Sequence, residues 1–160
     1  MSRISPKVIG VLVSALAVTG LATGPANAAQ GAVDGTITAE GQACSWTDGV
    51  TSDTSPNTLT VDNDTINQPG GNLSCAGDTT AVLNNDPTVT FDDTNGTATV
   101  DLLDVSVTML GVTCRYQASD VSAQRDGDTR TYTATADIPL YQGGWLCPDP
   151  ASVNATFSFR

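Results

Sequence analysis

Two groups of side chains in this sequence are equipped for chemistry: four cysteines, Cys44, Cys75, Cys114 and Cys147, and some clustered carboxylates. Asp62-Asn63-Asp64 and Asp92-Asp93, the latter close to Asn95, gather oxygen ligands of the kind calcium prefers. Neither run fits an EF-hand loop. Ile66 stands where that spacing wants Asp or Asn, and the loop's glycine and closing glutamate are missing. Asp62, Asp64, Asp92 and Asp93 are therefore calcium candidates only in the sense of clustered oxygens. The plainer expectation is that they cap turns through their side-chain oxygens, with no metal site. Paired carboxylates also serve as acid and base in glycoside hydrolysis. With two Trp, three Tyr and three Phe, few aromatics are left for a sugar cleft once a core is built.

What is missing narrows the chemistry further. The chain has no histidine, which removes Ser-His-Asp, Cys-His and His-metal arrangements. Its serines and threonines have no base to activate them, and no G-x-S-x-G turn is present. We therefore expect no enzyme, no catalytic residues and no cofactor. The cysteines lack C-x-x-C pairs, which argues against a metal or redox role. An even count in an exported chain implies two disulfides, with three connectivities open. Even spacing favours Cys44–Cys75 and Cys114–Cys147, each closing a loop of about thirty residues worth roughly 3–4 kcal/mol.

Export is read from the N-terminus. Arg3 and Lys7 precede an uncharged, mostly apolar run from Val8 to Ala22. Gly24-Pro25 breaks it, and Ala26-Asn27-Ala28 offers a small-x-small cleavage pattern. Residues 1–28 are expected to be a cleaved Sec-type signal peptide, leaving 29–160 as one secreted domain. There is no twin arginine and no lipoprotein cysteine. Beyond residue 28 the charged side chains are four arginines and all 17 acids, 4 − 17 = −13, with no lysine. So acidic a chain argues against binding nucleic acid or, after signal cleavage, an anionic membrane. The N-x-S/T sequons at Asn63, Asn72, Asn95 and Asn154 read as incidental beside a signal of bacterial type.

The elements that must position these residues are strands. Sixteen of the acids are aspartate, and threonine is abundant. Aspartate suits turns, threonine suits strands, and the strong helix formers are scarce. No window carries a 3.6-residue apolar stripe, whereas period-two alternation recurs. Strands are expected at 32–39, 57–61, 88–92, 97–109, 112–118, 121–125, 129–138 and 152–159, with a long loop over 62–78. Asn95-Gly96 and Asp126-Gly127 mark hairpin turns. Within 97–109 the alternation changes phase between Leu102 and Leu103, which predicts a bulge there or a strand bending between layers. Seven to nine short strands predict a two-layer antiparallel, Ig-like β-sandwich stapled by disulfides, with a partly open β-barrel as the alternative. Its inward residues are small, so the core should be thin. Trp145, two residues before Cys147, is expected to pack inward on the bridge; Trp46, two after Cys44, is open to burial or exposure. Arg115, Arg125 and Arg130 are expected to lie near one another in ordinary surface ion pairs.

The segments GVTCRYQASDV, DGDTRTYTATA and GGWLCPDPASVNATFSF, together with a signal ending in ANAA, resemble small exported proteins of actinobacteria of the Streptomyces type. Those share a C-x-Y strand, a later LCP and a closing x-ATF-x-F strand. The resemblance covers about residues 98–159 and implies an extracellular β-sandwich with a Cys114–Cys147 bridge. Chromophore carriers of the neocarzinostatin type share size, acidity, two disulfides and a sandwich, without a matching motif. Inhibitors of the subtilisin-inhibitor type share size, secretion and two disulfides, but are α+β with other cysteine spacing. The leading expectation is a non-enzymatic extracellular protein with a binding or surface role toward an unidentified partner. The alternatives are a small-ligand carrier, which needs an apolar cleft at one end of the sandwich, and a protease inhibitor using loop 142–150.

Overall fold

The computed structural model describes residues 30–160; the expected signal peptide, residues 1–28, lies outside the described residues. Eleven strands build the fold: β1 (Gly31–Ala39), β2 (Gln42–Thr51), β3 (Leu59–Thr60), β4 (Ser74–Cys75), β5 (Thr80–Leu83), β6 (Thr88–Asp92), β7 (Thr97–Met109), β8 (Val112–Arg125), β9 (Thr131–Ile138), β10 (Leu140–Gln142) and β11 (Ala151–Phe159). One 3₁₀ turn, Asn63–Thr65, is the helical element among the described residues. None is long and apolar enough to cross a membrane there.

The strands pair antiparallel in the order β3-β6-β7-β8-β9-β11-β1-β2-β4, with β10 added to β8 and β5 to β7. The sheet folds back on itself into two facing layers. On one side the layers meet: Thr51 at the end of β2 bridges to Val61, just past β3. There the Ser52 N–H donates to the Thr60 carbonyl and the Asp62 N–H to the Val50 carbonyl, both at 2.9 Å. Buried side chains from both halves of the sheet, among them Val33, Trp46, Leu59, Val89, Tyr132 and Phe159, therefore share one core. The result is a disulfide-stapled all-β sandwich whose layers are continuous at that seam.

The two ends differ. At one end lie the β6–β7 and β8–β9 turns, Gly96 and Gly127 supplying the positive φ. Phe91, Tyr132 and Phe159 fill the interior there, with ring centroids 5.1–5.9 Å apart. At the other end lie the β1–β2 tip at Glu40-Gly41, the β7–β8 tip at Leu110-Gly111 and loop 143–150. Both disulfides, Cys44–Cys75 and Cys114–Cys147, sit toward this second end. One joins β2 to β4, and the other joins β8 to the loop before β11. The end that aromatic packing leaves unfilled is the end that the disulfides hold.

The phase change in β7 has a definite form. Val100 pairs with Val121 and Leu102 with Ser119, but Asp101 and Asp120 between them do not pair. Asp120 adopts φ 54°, and the Asp101 carboxylate accepts from the Thr88 and Leu102 N–H groups at 2.8 and 2.6 Å. Both strands step by one residue together. The register is kept, while the inward face passes from Ala98 and Val100 to Leu103, Val105 and Val107. The break thus lies one residue before the expected Leu102-Leu103 position and involves two strands. It also coincides with a change of neighbour: β7 pairs with β6 before it and with β5 after it.

Other expectations change too. Eleven strands replace seven to nine. The expected strand 57–61 is paired as a ladder over only two residues, 59–60, and the segments 112–118 and 121–125 are one strand. The loop 62–78 contains the 3₁₀ turn and β4.

Candidate ligand cavity

A cavity of about 440 Å³ opens between the layers. Its walls are almost wholly apolar: Ile37 from β1, Trp46 from β2, Leu83 from β5, Val105 and Val107 from β7, and Phe157 from β11 are among them. A further space of about 90 Å³ shares Ile37, Val105, Val107, Tyr116 and Phe157 with it, extending the apolar interior toward β9 and β11. The space exists because many inward positions carry small side chains. Ala39, Ala81, Ala98, Ala123 and Ala151 all line it, so facing strands leave a gap that larger residues would have filled. The volume lies within the range of sites that hold small organic molecules, roughly 300–1,000 Å³.

The cavity reaches the surface at the disulfide end. Leu110 is 84% exposed and Leu146 56%, with Met109 and Val82 also exposed, and all four belong to the cavity lining. Leu110 projects there because the hairpin tip puts it at φ 52°, ahead of Gly111 at φ 79°. Cys44 and Cys114 line the wall below, so each disulfide ties a wall strand to a neighbouring segment.

Four polar lining groups lie toward the mouth, Glu40, Gln42, Thr79 and Tyr116; two more lining residues, Trp46 and Tyr132, carry a buried Nε1 and hydroxyl without a hydrogen-bond partner. The buried Thr79 hydroxyl donates to the Gln42 side-chain oxygen at 3.3 Å. The Ser152 N–H donates to a Glu40 carboxylate oxygen at 3.3 Å, linking the β1–β2 tip to the start of β11. The Tyr116 hydroxyl donates to the Pro148 carbonyl at 3.2 Å. Burial pushes the Tyr116 phenol above its ordinary range, and the negative charges of Glu40 and Asp149 push it further.

The two tryptophans are divided by local backbone. Trp46 is 8% exposed and lines the cavity, its ring lying on the bare backbone of Gly35, where a Cβ would come within 2.1 Å of the ring. Trp145 corrects the expectation of inward packing, being 92% exposed. It lies in a turn closed by the Cys147 N–H donating to the Gly144 carbonyl at 3.0 Å, so strand alternation does not apply. The place beside the bridge is taken by Gly143, where a Cβ would lie 2.6 Å from the Cys147 sulfur.

Three of the carboxylates singled out in the sequence, Asp62, Asp92 and Asp93, are taken up by turns and ion pairs, while Asp64 contributes its backbone N–H to the 3₁₀ turn. Asp62 caps the 3₁₀ turn, accepting from the Asp64 N–H at 3.0 Å. Asp92 accepts from the Asn95 N–H at 3.0 Å and the Asn95 amide at 2.6 Å, and that backbone bond holds its carboxyl below the ordinary range. Asp93 receives Arg125 at 2.9 Å and Arg130 at 2.8 Å. Among the described residues no three ligating side chains gather in a way that could hold a metal ion. Arg115 does not join Arg125 and Arg130, contrary to expectation. It lies further along β8, where both Nε and a terminal nitrogen donate to Asp104 of β7, at 2.8 and 2.5 Å.

That Asp104–Arg115 pair is the strongest polar feature, and composition gave no sign of it. Asp104 is 4% exposed and also accepts from Asn84 at 2.9 Å and Gln117 at 2.6 Å. Arg115 stacks on the Tyr141 ring, 5.1 Å from its centroid. The Arg115 guanidinium holds the Asp104 carboxyl at about 2, and the amides of Asn84 and Gln117 add to this against the cost of burial. Asp104 and Arg115 are absent from the cavity lining. Their bonds tie β7, β8 and the segment before β6 together.

Fold and site together define a small antiparallel β-sandwich, disulfide-bonded at its open end, with an apolar cavity between its layers. No family model, curated protein or solved structure matches the chain.

Proposed function

We propose that this protein is a secreted, non-enzymatic carrier that holds a small apolar molecule between its layers. The observation that carries the reading is the apolar cavity of about 440 Å³ with a mouth ringed by exposed Leu110, Met109 and Leu146. Empty apolar space costs stability, and filling it with an apolar guest recovers contacts and removes the guest's surface from water. Two disulfides suit an oxidising compartment, and the signal-like N-terminus agrees with export. The chain has no histidine and, beyond residue 28, no lysine, and a carrier requires neither.

The test is titration with N-phenyl-1-naphthylamine, a neutral probe that brightens in apolar surroundings. Saturable binding near one probe per chain is expected. Val105→Trp, which places a large ring in the cavity, should abolish it while leaving a cooperative melt. Binding that survives Val105→Trp, or a linear rise without saturation, would refute the reading.

A second reading rests on its own observation. Trp145 stands exposed on loop 142–150, which Cys147 pins to β8, a geometry that suits insertion into a protease cleft. Incubation with extracellular serine proteases decides it: an inhibitor would block them at equimolar amounts and survive with the loop intact.

A further inference from the structure

We infer that the cavity selects its guest by charge: it takes an amphiphile with an apolar body and a cationic head, the head resting at the mouth beside Glu40, and it rejects carboxylates. This rests on the carrier reading and names the ligand class for the same cavity.

Among the described residues the lining carries one charged side chain, Glu40, and it is anionic. Glu40 is the chain's one glutamate, placed at the β1–β2 tip with φ 49° and exposed to solvent. One of its oxygens accepts the long 3.3 Å bond from Ser152. A carboxylate has four lone-pair positions, so a head group that donates hydrogen bonds or carries positive charge still finds acceptors there. Gln42 and Thr79 stand beside it on the lining, and both are polar and neutral.

Among the described residues, the cations that could receive an anionic head are all committed elsewhere. Arg115 is paired with Asp104, Arg125 and Arg130 with Asp93, and Arg160 with Asp34 and Asp48. None of these arginines lines the cavity, and residues 30–160 contain no lysine. A fatty acid entering head-first would bury a carboxylate with no counter-charge on the wall, only the neutral donors of Trp46 and Tyr132, which is unfavourable. Entering tail-first, its head would stop beside Glu40 in the field of a strongly acidic chain.

Displacement of bound N-phenyl-1-naphthylamine by decylammonium, decan-1-ol and decanoate tests this, because the three share one apolar chain and differ in the head. Decylammonium should bind about tenfold more tightly than decanoate, the size of one solvent-facing ion pair gained and one like-charge contact avoided. Decan-1-ol should fall between them. Glu40→Gln should narrow the spread, and Glu40→Lys should reverse its order; melting curves of both variants confirm folding. Equal binding of all three alkyl probes would overturn charge selection and leave the carrier reading standing. A preference for decylammonium that persists in Glu40→Lys would overturn the placement of the head. Failure of decan-1-ol together with the naphthylamine probe would sink the carrier reading itself.

Discussion

The buried Asp104–Arg115 pair makes an acid-stability prediction with a definite size. The Asp104 carboxyl titrates at about 2 in the folded chain against an ordinary 3.8. Each tenfold change in proton affinity is worth about 1.4 kcal/mol. Holding the carboxylate ionised therefore contributes about 2 kcal/mol to folding at neutral pH. The folded carboxyl binds its proton less readily than the unfolded one, so this contribution is whole above about pH 4 and drains away as pH falls toward 2. Asp104→Asn keeps the shape and removes the charge. Arg115 has a side chain 36% exposed and can turn to water, so the loss should sit at or below the low end for a broken buried pair, about 2–3 kcal/mol at pH 7. Urea unfolding of both proteins, disulfides intact, at steps from pH 7 to pH 2 measures the gap. It should be constant down to about pH 5 and then shrink by about 2 kcal/mol. Asp34 and Asp92, also held below their ordinary range, affect both proteins alike and cancel in the difference. A gap that stays level across the whole pH range would refute the claim that ionised Asp104 is stabilised by its partners.

Three further outcomes follow from the geometry. Gly35→Ala sets a Cβ 2.1 Å from a Trp46 ring carbon, against ordinary carbon contacts of about 3.5–4.0 Å, so the ring must shift by about 1.5 Å toward the cavity. Because space waits there, the cost should be near the low end for overpacking, about 1 kcal/mol, with weaker binding of N-phenyl-1-naphthylamine as the companion signal. Acrylamide quenching of tryptophan fluorescence should show an accessible and a protected component; Trp145→Phe should remove the accessible one and change stability by less than about 0.5 kcal/mol in urea unfolding. Asp93→Ala, which releases both Arg125 and Arg130 at a half-exposed site, should cost no more than about 1 kcal/mol in thermal unfolding, and that cost should fade in 1 M salt.

Alternation made the regular strands legible. In β9, Tyr132, Ala134 and Ile138 turn inward between threonines, and β11 repeats the pattern with Ala155 and Phe159. Strand β2 was not legible. Its inward residues include Gln42, Cys44 and Trp46, too varied to read as one apolar face, and Asp48 at φ 57° breaks the run. Only the fold shows why Gly49 is tolerated there: the Ile66 side chain packs where its Cβ would stand. Trp145 misled because period-two reasoning from Cys147 presumes a strand, and that segment is a turn built on Gly143 and Gly144. The Asp104–Arg115 pair depends on the register of β7 on β8, which sets Asp104 opposite Gln117, one pair away from Val105–Tyr116 and two from Ser106–Arg115, so that the two side chains meet on the diagonal. The cavity left one trace in the sequence: the small inward residues that predicted a thin core. That they enclose a space rather than collapse onto each other follows from the curl of the sheet and the disulfides at its open end, which no local pattern encodes.

The central claim is that the space between the layers takes up an apolar molecule. Amide and methyl NMR shifts during titration with N-phenyl-1-naphthylamine test it most directly, because they report where the probe sits. Perturbations should centre on Ile37, Leu83, Val105, Val107 and Phe157 deep in the wall, and fade toward Tyr141 and Trp145 on the outer surface. Shifts confined to Tyr141, Trp145 and Leu146, with the wall residues unmoved, would mean adsorption to an exposed apolar patch and would contradict the account.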